Sequence, residues 1–471
     1  MRSPATRRRI VLAATASAAV TVAGLVAPAT SGATGVPAAN ETSAQNYHVV
    51  NYYPQWAVYG RNVYLGDIER NGSANGLTVL NYAFANIHAT DLTCFENTSS
   101  VGNPGDPDYP RDNAGDAHAN YQRDITAAQS VDGVADVPTS RLRGNFGQLK
   151  KLKAKHPGMK VLMSIGGWSF SKYFADVAKT DAARKKFVRS CIDLYIRGNL
   201  PVRDDWGTGR PGGGPGTAAG IFDGFDLDWE YPGGGGLEGN HVDPNDKQNF
   251  TLLLQEFRTQ LDAVRSGMLL TAFTASDPAK IQNGLELDKI FNYLDFANLQ
   301  GYDFHGSSWE PHRTGHQANI HDDPKDPNPP ASQFSVQKAV DIYTAAGVDP
   351  RKIVVGIPFY GRGWTGVPDG GTKGVYQPAT GPAPGDFPEE PGVRGYRNLK
   401  RQIPANQIHR DENLLTAWGH TGTEFWSFDD PQTVTAKTSY IKEKGLGGAF
   451  AWNLAEDDGT LSAAMRTGLG G

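Results

Sequence analysis

Cysteine is nearly absent from this chain of 471 residues, which contains only Cys94 and Cys191. Two thiolates cannot complete a four-ligand structural zinc site, so cysteine-rich metal folds are excluded. The pair leaves open one disulfide or two buried thiols, and in an exported protein the bond is favoured. Clustered positive charge is also missing. No Lys/Arg stripe follows the first ten residues, and the net charge is −5 with a pI near 6.1. A phosphate backbone requires concentrated cations, so nucleic acid is not the expected partner. After residue 26 no apolar run reaches the roughly 18 residues of a membrane helix, so no membrane partner is expected. No Gly-x-Gly-x-x-Gly follows the first predicted strand, which argues against a dinucleotide-binding sheet.

What is present begins with an export signal. Arg7, Arg8 and Arg9 precede an Ala/Val/Leu-rich segment from Ile10 to Val26, and small-x-small cleavage sites follow at Ala27-Pro28-Ala29 and Ser31-Gly32-Ala33. This order predicts a signal peptide over 1–33, a linker over 34–46, and a secreted, extracellular protein. The paired arginines leave a twin-arginine route open.

From Tyr47 onward, apolar runs alternate with amphipathic stretches. The runs are HVVNYY (48–53), LTVLNYAFANI (77–87), KVLMSIGG (160–167), IFDGFDLDWE (221–230), MLLTAFTA (268–275), YLDFANLQGYDF (293–304), KIVVGIPFY (352–360) and LGGAFAWNL (446–454). Nearly continuous apolar character marks parallel strands covered on both faces. Helical patterns at 145–156, 181–196, 245–265, 335–347 and 430–445 fall between them. The alternation predicts an α/β fold, a (β/α)8 TIM barrel over 47–471. Residues 361–422 are too long for one loop and helix, and predict a small α+β insertion between strands seven and eight. Residues 88–144 form a second excursion after strand two. Both follow the C-terminal ends of strands, where barrel enzymes build their sites.

The segment IFDGFDLDWEYP (221–232) concentrates Asp223, Asp226, Asp228 and Glu230 in a strand that otherwise reads as buried. Alternation puts Asp226, Asp228 and Glu230 on one face, with Glu230 nearest the C-terminal rim. Asp223 is out of phase and belongs at the strand entrance. Three inward carboxylates cannot all ionise in a low-dielectric interior. We therefore expect Glu230 to be a general acid, Asp228 its partner, and Asp226 to share a proton with Asp228. A carboxylate-only metal site would draw ligands from several strands, so no metal is expected. A two-carboxylate retaining glycosidase needs its acid and nucleophile on different elements.

DGFDLDWEYP resembles the Asp-x-x-Asp-x-Asp-x-Glu motif of glycoside hydrolase family 18, the chitinase family. SIGGW (164–168), GYDFHG (301–306), YGRGW (360–364) and GGAFAWNLAEDDG (447–459) resemble further motifs of that family, in order, from about residue 47 to the end. The resemblance implies substrate-assisted hydrolysis with retention. Glu230 is then the proton donor, Asp228 the partner of the substrate acetamide and Asp226 its modulator. Tyr302 would donate to the acetamide oxygen, and Asp303 would contact sugar and help keep the acid protonated. Trp452 would floor the bound sugar and Trp168 would line the cleft wall. Tyr52 and Phe84 would line the cleft from the first two strands. Tyr360 and Arg362 would form the sugar-contacting edge of the insertion. Gln300 adds a polar group near the acetamide pocket, and Ser164 supports the aspartates. No cofactor is implied. The implied partners are chitin and N-acetylglucosamine oligomers, bound by a monomer. Two relatives of this scheme stay open: an endo-β-N-acetylglucosaminidase on N-glycans, which generally lacks the insertion, and a non-catalytic chitin-binding lectin, which typically lacks the acid.

Overall fold

The computed structural model describes residues 46–98, 112–204 and 209–471. The expected signal peptide, and the linker up to residue 45, lie outside the described residues. Eight parallel strands close on themselves: His48–Pro54, Val79–Ile87, Lys160–Gly166, Gly224–Asp228, Leu269–Thr274, Phe296–Leu299, Ile353–Pro358 and Gly448–Trp452. Closure is made by the first strand, which pairs with the second (Val50 opposite Val79) and with the eighth (His48 opposite Gly448).

The strand sequences explain this. Val50, Tyr52, Val79, Ala83, Leu162, Phe296, Val354 and Phe450 fill the barrel interior. The alternate residues, among them Tyr53, Leu80, Val161, Phe225 and Leu227, pack outward under the helices. Long helices Gly144–Lys155, Asp181–Cys191, Asp246–Val264, Val336–Ala345 and Pro431–Glu443 cover the strands. Thr180 and Ser335 cap two of them by accepting the N–H of Ala183 and Lys338, and Asp430 accepts those of Gln432 and Thr433. Each such cap contributes about 1 kcal/mol. Gly224 opens the fourth strand with φ 153°, and a Cβ there would lie 1.9 Å from the Leu269 carbonyl oxygen. Only glycine permits that approach to strand five.

Two strands stop earlier than the sequence predicts. The fourth ends at Asp228 and the sixth at Leu299, so Glu230, Gln300, Tyr302 and Asp303 stand on the loops that follow. Past Asp228 the backbone leaves the ladder, because the Glu230 N–H is taken by Ser171 Oγ and its carbonyl by Asn240 Nδ2.

The insertion is an antiparallel sheet beginning at Tyr360–Thr365, directly after strand seven, and ending at Glu424–Phe428. It therefore extends beyond the expected 361–422 at both ends. Trp364, Val367, Ala379 and Phe425 give it a core of its own, and helix Tyr396–Gln402 joins it. In the excursion after strand two, Cys94–Phe95 pairs with the end of that strand, and Cys94 is disulfide-bonded to Cys191 at the end of a covering helix. Beneath the insertion, Lys437 and Asp429, each 1% exposed, form an ion pair at 2.6 Å. No helix among the described residues is long and apolar enough to cross a membrane.

Candidate active site

The floor of the barrel mouth is built around Asp226, which is fully buried. Four strands each send it a donor. Oδ2 accepts the Tyr52 hydroxyl at 2.7 Å and Ser164 Oγ at 2.8 Å. Oδ1 accepts Thr271 Oγ1 at 2.6 Å and Asn298 Nδ2 at 3.2 Å. Burial raises its pKa, and these four donors hold it down. Four donors match the four lone-pair sites of an ionised carboxylate. Asp226 is thus held by a cage of neutral donors. Two of the four, Thr271 and Asn298, escaped the sequence reading. Their signal is parity: both point inward on strands five and six.

Asp228 is also buried, and its Oδ1 has no hydrogen-bond partner among the described residues. Burial, then the charges of Glu230 and Asp226, push its pKa well up. Glu230 follows one turn outward. Its N–H donates to Ser171 Oγ at 2.9 Å, and its carbonyl accepts Asn240 Nδ2 at 3.1 Å. Ser171 Oγ also donates to the Asp228 carbonyl at 3.1 Å, so one hydroxyl fixes both backbones. Burial pushes the Glu230 carboxyl up to about 7. The Tyr231 hydroxyl and the Lys280 ammonium oppose this, and the Asp303 charge adds to it. An acid with that value is still substantially protonated near neutrality.

Asp303 lies in the left-handed region with φ 61°. A non-glycine residue in that conformation is strained by about 1 kcal/mol or more and needs firm contacts to keep it there. Arg362 supplies two, Nε to Oδ1 and Nη2 to Oδ2, both at 2.8 Å, and the Tyr360 hydroxyl donates at 2.7 Å. Tyr360 and Arg362, expected as sugar contacts, are therefore first the clamp on Asp303. Trp309 covers Arg362 at 5.0 Å. Tyr302 is buried against Tyr360, Phe273 and Phe450. Gln300 accepts the Tyr231 hydroxyl at 3.5 Å, and the Lys280 ammonium sits 4.0 Å from the Tyr231 ring centre.

Aromatic rings line one side of this floor. Trp452 stacks on Phe84 at 5.5 Å with a 13° tilt, and Trp56 and Tyr52 meet Trp452 at 6.4 and 5.5 Å. Trp168 and Trp309 are each 48% exposed. Non-proline cis peptides occur at Ala83–Phe84, Glu230–Tyr231 and Trp452–Asn453. Asp223 lies apart from the site, at the strand entrance. There it accepts Lys153 Nζ at 2.7 Å and the Val161 N–H at 3.0 Å.

The fold thus gathers Asp226, Asp228, Glu230, Tyr302 and Asp303 with Tyr52, Ser164, Phe84, Gln300, Tyr360, Arg362 and Trp452. Residues the sequence reading missed are Thr271, Asn298, Ser171, Tyr231, Lys280, Trp56 and Trp309. Ser171, Tyr231 and Lys280 sit on loops or short helices with no periodic pattern. Among the described residues no cluster of three His, Cys, Asp or Glu side chains is arranged to hold a metal ion. The site offers proton transfer between neighbouring carboxyls, an acceptor oxygen beside them, and flat apolar surface.

The sequence model described as Glycosyl hydrolases family 18 matches residues 48–457. Chitinase C of Streptomyces lividans is 36% identical over 417 residues, covering 87% of this chain and 57% of that protein. Chitinase A1 of Niallia circulans is 34% identical over 461 residues, covering 92% of this chain and 60% of that protein. The chain thus spans about three-fifths of the length of these curated relatives. The solved catalytic domain of psychrophilic chitinase B from Arthrobacter TAD20 is 45% identical, with a TM-score of 0.83 over 90% of this chain and 95% of that one. Catalytic domain 2 of a Group II chitinase from Ostrinia furnacalis, solved in complex with penta-N-acetylchitooctaose, is 26% identical, with a TM-score of 0.66 over 89% of this chain and 96% of that one.

Proposed function

This chain belongs to family 18 of the glycosyl hydrolases, and on that premise we propose that it is a secreted chitinase hydrolysing β-1,4-linked N-acetylglucosamine polymers with retention. The observation that carries the reading is the pair at the barrel mouth. Glu230 has its carboxyl pushed up to about 7, and it stands beside Asp228, which has an oxygen without a partner. Asp303, the carboxylate of the sixth loop, is taken by Arg362 and Tyr360 and is not free to attack. The nucleophile is then the substrate's own acetamide oxygen, the named exception to two-carboxylate retention.

Glu230 donates its proton to the glycosidic oxygen as the anomeric C–O bond breaks. The acetamide carbonyl oxygen closes on the anomeric carbon to form an oxazolinium ion. Asp228 accepts the acetamide N–H with its free oxygen, and the negative charge left on the Asp228–Glu230 pair by the proton transfer balances the positive charge. Tyr302 donates to the acetamide oxygen. Water then attacks the anomeric carbon, the ring opens, and the water's proton returns to Glu230. Trp452, backed by Phe84, is the apolar floor on which the reacting sugar rests.

The polymer as substrate is supported by the relatives' names and by the oligosaccharide held in the Ostrinia domain. Export is supported by the basic-then-apolar N-terminus and by the Cys94–Cys191 bond, which persists in oxidising compartments.

The test compares wild type with Glu230→Gln on soluble N-acetylglucosamine oligomers, reading products by mass and their first-formed anomer by NMR. Wild type is expected to release β-anomers, and the variant to lose about 10²–10⁴-fold in rate. Oligomers deacetylated at the reacting sugar should not be cut. A variant as fast as wild type, or cleavage of a deacetylated site, would overturn the mechanism.

A further inference from the structure

One buried carboxyl outside the cleft takes no part in the chemistry above. Glu96 follows the short strand Cys94–Phe95, is 7% exposed, and accepts the Asn120 side-chain N–H at 2.8 Å. Asn120 Oδ1 accepts the Tyr82 hydroxyl, and Tyr82 Oη accepts Asn145 Nδ2 at 3.0 Å. Asn145 Nδ2 also donates to the Gln55 carbonyl at 3.2 Å, and Gln55 Nε2 donates to the Phe84 carbonyl at 3.2 Å. Asn145, Tyr82, Asn120 and Gln55 are all buried. The chain of bonds therefore runs from Glu96 to Asn145, and Gln55, which takes Asn145 on its backbone carbonyl and holds the Phe84 carbonyl with its side chain, extends it to the peptide whose ring lies flat on Trp452. From Asn145 onward every donor points toward Glu96, so the carboxylate is the terminal acceptor.

We propose that Glu96 is a positioning residue that sets the seating of Phe84 and Trp452 through this chain, and so couples affinity for the sugar polymer to protonation of a carboxyl outside the cleft. The proposal rests on reading Trp452 as the floor of a sugar site. Hydrogen-bonded chains polarise one another in a low-dielectric interior, so a change at Glu96 is felt as far as Asn145 and passes to Phe84 through the position of Gln55. A protonated Glu96 presents an O–H where the carboxylate presented an acceptor. Burial pushes Glu96 up to about 7, the Asn120 and Tyr195 side chains hold it down, and the Asp116 charge raises it further. Asp116 comes from the loop before the turn His118–Gln122, and Tyr195 from the turn that continues helix Asp181–Cys191. Tyr82 and Tyr121 in turn feel the Glu96 charge. Neutrality is thus the range in which the terminal acceptor changes form.

The test uses the whole protein as wild type, Glu96→Gln and Glu96→Leu. Gln keeps the size and an acceptor but cannot ionise, and Leu removes the acceptor. Steady-state kinetics on soluble N-acetylglucosamine oligomers are taken on both sides of neutrality. Wild-type KM is expected to change by several-fold through neutrality, and the Gln variant to lose a several-fold part of that KM change with the kcat profile unmoved. The Leu variant should raise KM by about tenfold, the worth of one hydrogen bond, at every pH. Tryptophan fluorescence without substrate, read in a Glu230→Gln background so that the acid itself does not titrate, should change near neutrality when Glu96 is present and not when Glu96→Gln is added. That readout separates the proposal from the assigned activity: a wild type that cuts nothing, while that fluorescence still titrates, defeats only the activity. Superimposable KM profiles and superimposable fluorescence titrations with and without Glu96→Gln overturn the proposal, as does a kcat change equal to the KM change.

Discussion

Replacing Tyr52 by Phe removes one hydroxyl from the cage around Asp226 and leaves the ring in place. That hydroxyl donates to Asp226 Oδ2 at 2.7 Å and itself accepts Asn298 Nδ2 at 3.2 Å. A hydrogen bond to a charged group contributes about 1.5–3 kcal/mol. Ser164, Thr271 and Asn298 remain, so the carboxylate is weakened and not abandoned. The sign of the pH effect follows from linkage. Burial already raises the folded-state pKa of Asp226 above its ordinary value, so ionising it costs stability as pH rises through the folded value. Losing a donor raises that pKa further and enlarges the cost. The added loss is fully expressed above the folded pKa. It fades as pH falls toward the ordinary carboxylate range, where the group is protonated folded and unfolded alike. Urea unfolding should therefore show Tyr52→Phe about 1.5–3 kcal/mol less stable at neutral pH, with a smaller deficit in acid. An equal stability deficit at both pH values would refute the view that four donors hold Asp226 ionised. An unchanged variant would refute it too.

Other perturbations have definite expected outcomes. Lys280→Met removes a cation that holds Glu230 down, so the basic limb of kcat/KM should move to higher pH, and an unmoved limb would mean that the ammonium does not act on the acid. Lys437→Met leaves Asp429 buried without its partner and should cost about 3–5 kcal/mol in urea unfolding at neutral pH, whereas Lys437→Met with Asp429→Leu should recover much of it. Cys94→Ala with Cys191→Ala opens a loop of 97 residues, and the chain-entropy relation gives a loss of about 4–5 kcal/mol, read as a lower Tm with KM unchanged.

The sequence alone determined the barrel and the carboxylate strand, because both rest on local periodicity. Eight apolar runs separated by amphipathic helices admit few folds. Alternation along GFDLD places Asp226 and Asp228 inward, whatever lies around them. Family resemblance extended that reading to Tyr302, Asp303 and Trp452, and segment length to the insertion. Tertiary structure alone decided who holds whom. The donors of Asp226 come from strands one, three, five and six, separated by as many as 246 positions between Tyr52 and Asn298. No pattern along the chain records which inward hydroxyl reaches which oxygen. The same holds for the Arg362 clamp on Asp303 across 59 positions and for the route from Glu96 to Phe84. Hydrogen bonds of this kind are specified by closure of the barrel and seating of the loops. Single-strand chemistry is therefore legible in the sequence, and the electrostatic settings that make it work appear only in the folded chain.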